Sequence, residues 1–426
     1  MTMGARAHAA LLAAILIVAG LGCAGAATFE VRPDDPLDAA IARAAPGDTL
    51  HLMAGVHHGS VVVDKPGLRL EGTADAIVDG DGAGSTIAVT AADVLIRGIT
   101  ARGSGQSLID RNSGIFLDRT ADRATVEDVV LVDNLIGVYL EGTHDALVRH
   151  SIIHGLHTLR RTERGPSISI WNAPGSRVLD NELEGGRDGV FAVSSKQNTI
   201  RGNRLRGLRF AVHFMYTNES EVADNVSVGN DVGYVMMYSD RLRLHDNVSD
   251  GDRDNGLLFN YANASTIVGN VVRGSEKCVF IYNANKNRFT DNWFESCGVG
   301  VHFTAGSERN TISGNSFVAN RTQVMYVGTR SLDWASEGRG NYWSDNPAFD
   351  LNGDGIADTA YRPNDIIDQV VWRAPAAKLL LNSPAVQVVR WAQAHFPAIH
   401  PGGVLDSAPL MRPVRPPALS QLEPPR

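Results

Sequence analysis

The sequence predicts an all-β fold, a single-stranded right-handed parallel β-helix (a solenoid) with an N-terminal capping helix and a C-terminal extension. Three observations predict it. Asparagines recur at Asn181, Asn203, Asn225, Asn247, Asn270, Asn292 and Asn315, at spacings of 22, 22, 22, 23, 22 and 23 residues. Each follows a β-branched or apolar residue by three or four positions, as in Thr199-Ile200-Arg201-Gly202-Asn203 and Thr311-Ile312-Ser313-Gly314-Asn315. A short apolar strand comes later in each repeat, as in Val190-Phe191-Ala192-Val193, Val212-His213-Phe214-Met215 and Val301-His302-Phe303-Thr304.

A fixed period of about 20 residues with several short strands per period marks a solenoid. At about 3.3 Å per residue one coil is a closed path of roughly 70 Å, and each coil adds about 4.8 Å along the axis. The recurring Asn sits where the chain bends, and stacked Asn amides bond up and down the ladder. A propeller blade needs about 40 residues, and the Leu pattern of a leucine-rich repeat is absent.

The elements follow in order. Residues 1–26 form a secretory signal: Arg6 supplies the positive start, Ala9 to Leu21 is apolar, and Ala24-Gly25-Ala26 offers a small-x-small cleavage site. The apolar run is too short to span a bilayer, which takes about 20 residues. Cys23 allows a lipoprotein reading, but Gly20-Leu21-Gly22 is a weak lipobox. With no twin-arginine pair, general secretion is expected.

The solenoid spans 28–332. Its open first coil needs a cover, and Asp35-Pro36 starts a helix there, with Asp35 as N-cap and Leu37 to Ala45 as its amphipathic body. The repeat frame extends back, less regularly, to Val129 and Ser151. Insertions interrupt it near Gly103 to Asn112 and between Ser151 and Asn181. The second holds His154, His157, Arg160, Arg161, Glu163 and Arg164. It is either a binding loop or a solvated, variable one.

Beyond Val327 the repeat stops. Residues 333–373 form an extension rich in Trp, Tyr, Asp and Asn, and 374–426 hold a helix over Pro384 to Phe396 and a Pro-rich tail. Val386, Val389 and Ala392 or Phe396 share one side of that helix, which must bury itself either as a cap on the last coil or against a partner. The tail from Pro413 is expected to be disordered.

Lys plus Arg number 39 and Asp plus Glu 47, a net charge of −8. An acidic chain without a basic run is a poor match for nucleic acid or an anionic membrane. After cleavage two cysteines remain, Cys278 and Cys297, on consecutive coils but at different places around them. They either pair, if the lateral distance allows, or are two buried small hydrophobes.

Chemistry is sought on the outward side of the apolar strands. There the alternation places His213 and Met215, then Val235 and Met237, then His302 and Thr304, and last Met325 and Val327. Phe191, Val193, Phe280 and Tyr282 join them. A contiguous apolar strip marks an interface or a ligand groove. Thioether and imidazole suit copper, so His213, Met215 and Met237 are the first candidate ligands and His302 and Met325 weaker ones. The plainer alternative is that Met packs beneath a loop.

Polysaccharide hydrolysis needs two carboxylates about the scissile bond. This face offers only Glu141, and Asp188, Asp231 and Asp254 read as turn residues bonded to their own backbone. Asp350, Asn352, Asp354 and Asp358 match positions one, three, five and nine of a calcium loop, with Gly355 at six but Tyr361 where the bidentate Glu belongs. The alternative there is a turn held by its own Asx bonds.

Several segments carry a family resemblance. They are Val212-His213-Phe214-Met215-Tyr216, Gly233-Tyr234-Val235-Met236-Met237-Tyr238-Ser239, Gly256-Leu257-Leu258-Phe259-Asn260-Tyr261 and Lys277-Cys278-Val279-Phe280-Ile281-Tyr282-Asn283-Ala284-Asn285. Further on come Val301 to Glu308, Val327-Gly328-Thr329-Arg330 and, most specific, Gly338 to Asn364 with Arg339-Gly340-Asn341-Tyr342-Trp343-Ser344-Asp345. These resemble the NosD family, periplasmic maturation proteins of nitrous-oxide reductase. The resemblance implies a periplasmic, non-enzymatic role. Such proteins work with an ABC transporter of ATPase NosF and membrane subunit NosY, and pass copper, as Cu(I), from the lipoprotein NosL to the apo reductase. The chain has no P-loop, so ATP hydrolysis falls to a partner. A pectate-lyase-like carbohydrate protein is the competing class; acidic clusters on the strand face would mark it, and His and Met stand there instead.

Overall fold

The computed structural model describes residues 26–304, 306–380, 383–395 and 402–422, so the expected signal segment, Ala26 apart, lies outside the described residues. The chain winds into three parallel sheets of 13, 13 and 12 strands. Sheet 1 runs from Thr28–Val31 to Thr311–Ser313, sheet 2 from Gly55–His58 to Tyr342–Trp343, and sheet 3 from Val61–Val63 to Thr322–Val327. One coil contributes one strand to each, as Thr199–Arg201, Arg204–Arg206 and Phe210–Met215 do. The predicted β-helix is therefore the fold.

Strand alternation builds the core. Val212 and Phe214 point inward and are fully buried, stacked on Val190 and Ala192 of the coil before and Tyr234 and Met236 of the coil after. The bend between sheets 1 and 2 has two parts. The residue before each Asn is left-handed: Asp180, Gly202, Asp224, Asp246, Gly269, Asp291 and Gly314 all have φ between 55° and 75°. Asp and Gly are the types that tolerate this conformation. The Asn that follows is buried and joins the ladder. Asn203 Nδ2 donates to Asn225 Oδ1 at 2.9 Å and to the Val178 carbonyl at 3.0 Å.

The first coil is covered by the helix Leu37–Arg43, which buries Leu37, Ala40 and Ile41. Asp35 is not its cap. Pro36 holds that position without a side-chain bond, and the Asp35 carboxylate accepts from the Arg32 amide at 2.9 Å. Cys278 and Cys297 form a disulfide with Cα atoms 5.7 Å apart. Cys297 stands at the corner that Asn320 occupies one coil later, beside the start of Cys278's strand.

At the far end Asn341 adds a further rung, accepting from Asn315 Nδ2 at 3.0 Å, and Tyr342–Trp343 pairs with Ser316–Val318. The stack Phe317, Trp343, Trp334 and Tyr361 closes the core. Val404–Leu405 pairs with Leu332–Asp333, and Asp406, fully buried, ends the ladder by accepting from the Asn341 amide at 2.7 Å and from Trp343 Nε1 at 2.8 Å.

The tail expected to be disordered is instead a strap. Val414 and Ser316 exchange two hydrogen bonds at 2.8 and 2.9 Å. Ala418 and Leu419 then pack on Val248, Val271 and Trp293 of sheet 2. Its Pro content lowers the entropy lost on ordering, and an apolar groove between coils receives it. In the helix Pro384–His395, Val388 and Trp391 are exposed while Val386, Val389 and Ala392 are half-buried, and the flanking segments close the last coil.

Candidate functional site

The outward side of sheet 3 carries the site. Its strands lengthen to six residues from Asp188–Val193 onward, so two outward positions per coil line up in columns. The first column reads Phe191, His213, Val235, Leu258, Phe280, His302 and Met325. The second reads Val193, Met215, Met237, Asn260 and Tyr282, with Thr304 and Val327 beyond.

Met215 and Met237 are thus register partners on adjacent strands, and His213 lies on the strand of Met215 two residues before it. Both Met side chains are half-buried, whereas His213 is 7 % exposed. His302 and Met325 are register partners too, but four coils on from His213. At about 4.8 Å per coil that is roughly 19 Å, so the five candidates make two separate clusters. Burial, and secondarily the charge of Lys277, pushes the His302 imidazole below its ordinary pKa. That favours the neutral, ligating form.

His213 is tightly framed. Phe191 lies 4.8 Å from it, centroid to centroid, and Phe210 meets it edge-on at 5.0 Å. Asp188 is fully buried behind it, clamped by two bonds from Arg209 at 2.8 and 2.7 Å, with His213 Nδ1 3.4 Å away. Burial pushes the Asp188 carboxyl up, but bonds from His213 and Arg209 outweigh it, and the group lies below the usual carboxylate range. The turn reading of Asp188 is therefore wrong: it is a strand residue with two cationic or donor partners. Asp231 and Asp254 also bond elsewhere, Asp231 to Arg161 at 2.7 Å and Asp254 to Arg253 at 2.9 Å. Arg161 comes from the long insertion, which thereby reaches across to the start of the strand Val232–Met237.

Beside the Met column runs a ladder the sequence reading did not single out. Tyr216, Tyr238 and Tyr261 stack at 5.0 and 5.1 Å, and Tyr282 meets Tyr261 edge-on at 6.0 Å. Tyr recurring at the end of four successive strands of sheet 3 was its signal in the sequence. Glu141 is bonded to Arg111. Asp118 follows Leu117, the register partner of Leu140, and so stands beside Glu141 one coil earlier; Glu141 is not the lone carboxylate it was expected to be.

The Asp350–Asp358 loop is exposed and bonds to itself. Asp350 accepts from the Gly353 and Gly355 amides at 2.7 and 2.8 Å, Asp354 from Ile356 at 2.8 Å, and Asp358 from Leu351 at 2.8 Å. Tyr361, at the twelfth position, donates to Asp345 at 2.8 Å.

The architecture defines the class, a parallel β-helix with an apolar outer strip bearing imidazoles and thioethers. The same fold is seen in the Dettilon tailspike protein (TM-score 0.57, 15 % identity, 70 % of this chain and 68 % of that one). It is seen again in an exopolygalacturonase of Thermotoga maritima (TM-score 0.51, 11 % identity, 71 % and 92 %). At such identities the likeness concerns the fold alone. Within that class the chain belongs to the NosD family. Residues 153–348 match the family described as periplasmic copper-binding protein (NosD). It is 38 % identical over 376 residues to the "Probable ABC transporter binding protein NosD" of Stutzerimonas stutzeri, covering 85 % of this chain and 86 % of that one. It is likewise 38 % identical over 402 residues to the protein of the same name from Pseudomonas aeruginosa, covering 91 % and 93 %.

Proposed function

We propose that this chain is a periplasmic copper-binding accessory protein. It works with an ABC transporter to deliver copper, as Cu(I), to apo nitrous-oxide reductase, with NosY and NosF as the transporter and NosL as the copper source. The observation that carries the reading is the Met215–Met237 register pair beside His213, in a family described as copper-binding. Two thioethers and one imidazole make a soft donor set that favours Cu(I) over harder cations. Its relatives' name, ABC transporter binding protein, supports the transporter partner.

The role is binding, not catalysis. The relatives are named for binding, and Glu141, the buried carboxylate of the strip, is engaged by Arg111. A panel of pectins and alginates is expected to remain uncleaved; cleavage lost on substitution of Glu141 or Asp118 would restore the enzymatic reading.

The deciding experiment is a Cu(I) titration of the purified mature protein against a competing chelator. The Met215→Ala, Met237→Ala double variant is expected to lose at least about tenfold in affinity, and His302→Ala with Met325→Ala to lose less. Unchanged affinity in the first variant removes the site.

A further inference from the structure

His213 has one nitrogen committed and one without a partner. Nδ1 faces Asp188 Oδ2 at 3.4 Å, while Nε2 is buried and makes no hydrogen bond. The ring cannot easily turn, since Phe191 and Phe210 lie 4.8 and 5.0 Å from it on two sides. Nor can Asp188 swing away, because Arg209 holds both its oxygens at 2.8 and 2.7 Å and itself stacks on Phe210 at 4.3 Å. An ionised carboxylate only accepts. The proton of a neutral His213 therefore belongs on Nδ1, and the lone pair on Nε2. A buried lone pair with no donor is an expense that native structures accept where a ligand satisfies it.

We propose that Asp188, clamped by Arg209, is the positioning residue of the copper site: it fixes His213 in the Nδ1–H tautomer and presents Nε2 as the metal donor. The proposal rests on the copper reading above. Histidine ligands are commonly oriented in this way by a carboxylate on their other nitrogen. Arg209 and Phe210 are neighbours in sequence, so the clamp stands just before, and the aromatic wall begins, the strand that carries His213 and Met215.

The test begins on the metal-free wild-type protein, by nitrogen-resolved NMR of the imidazoles. Recorded at a pH where the ring is neutral, His213 is expected as Nδ1–H; an Nε2–H tautomer overturns the proposal, with no variant needed. Asp188→Asn gives the second arm. Arg209 would claim the amide oxygen and turn the NH2 toward Nδ1, so His213 is expected to flip to Nε2–H and Cu(I) affinity to fall at least about tenfold. Met215→Ala with Met237→Ala should lower affinity without moving the tautomer. If Asp188→Asn flips the tautomer yet binds Cu(I) as tightly as wild type while the Met variant does not, the positioning role is wrong and the copper site stands. If no variant alters Cu(I) binding, the copper reading itself fails.

Discussion

Asn225 donates from its side-chain amide to Asn247 Oδ1 at 3.0 Å, and the same oxygen accepts the Asn225 backbone amide at 3.1 Å. Each rung thus satisfies two donors of the coil before it and relies on the next coil for its own. Asn225→Ala would strip both bonds from Asn203, whose backbone amide and Nδ2 reach Asn225 Oδ1 at 3.0 and 2.9 Å. Each buried donor left unmatched costs about 1–3 kcal/mol. We expect a loss of roughly 2–5 kcal/mol, read as a lower urea midpoint. A midpoint equal to wild type would mean that the ladder is not a stabilising feature.

That ladder was legible because one residue type recurs at one spacing, and the same regularity made the columns of sheet 3 legible. Met215 and Met237 could be paired by counting from Asn203 and Asn225. Asp188 could not be read correctly, because a local pattern says nothing about Arg209, one coil away. Asp118 was missed for a similar reason: it lies outside the regular frame, in a coil separated from the one before it by an irregular step. The strap was missed because its Pro-rich composition is that of unstructured chain. Only the groove of Val248, Val271 and Trp293 gives Leu419 somewhere to go.

Asp252 offers a pH-dependent test. It is fully buried, and burial raises its pKa above the ordinary carboxylate value despite bonds from Ser227, Ser249 and the Asn230 amide. A carboxyl with a raised folded pKa holds its proton better in the native state. Its contribution is present below the unfolded value and is lost as pH rises through the folded one. At neutral pH the group is therefore a burden. Asn230 occupies the same corner one coil earlier and donates to the Leu205 carbonyl at 3.0 Å. Asp252→Asn is expected to raise stability at pH 7 by about 1 kcal/mol, the worth of one hydrogen bond, with the gain shrinking as pH falls toward the ordinary carboxylate range. A gain that is constant with pH, or a loss at pH 7, would contradict this.

The Asp350 loop gives a metal test. Both oxygens of Asp350 serve the Gly353 and Gly355 amides, and Tyr361 takes the place of the bidentate ligand. We expect about 1 mM Ca²⁺ to leave the melting temperature unchanged against chelator, since a loop without its twelfth ligand binds weakly. Asp350→Ala should lower the melting temperature in either buffer by exposing the turn's amides. A Ca²⁺-dependent rise that Asp354→Asn abolishes would show instead that the loop takes the ion.

The C-terminal region separates two roles that the sequence ran together. Tyr361 and Asp406 exchange backbone bonds at 2.9 and 2.8 Å and so close the base of the excursion between them. Asn364 Nδ2 donates to the Val324 carbonyl at 2.6 Å, and the helix Ile366–Arg373 buries Ile367 and Val371. Farther out Leu379 is 90 % exposed and Val388 64 %. A helix with uncovered apolar residues gains by meeting a partner, and the proposed partner is the transporter. Two deletions follow. Replacing residues 375–400 by a flexible Gly/Ser linker leaves Asp406, Trp343 and the strap in place, so the melting temperature should hold while co-purification with the transporter is lost. Truncation after Pro401 removes Val404 and Asp406 from the ladder's end and Leu419 from its groove, so the isolated protein should melt lower or aggregate. If the internal deletion lowers the melting temperature as far as the truncation does and still binds the transporter, the excursion is part of the cap and the docking role fails.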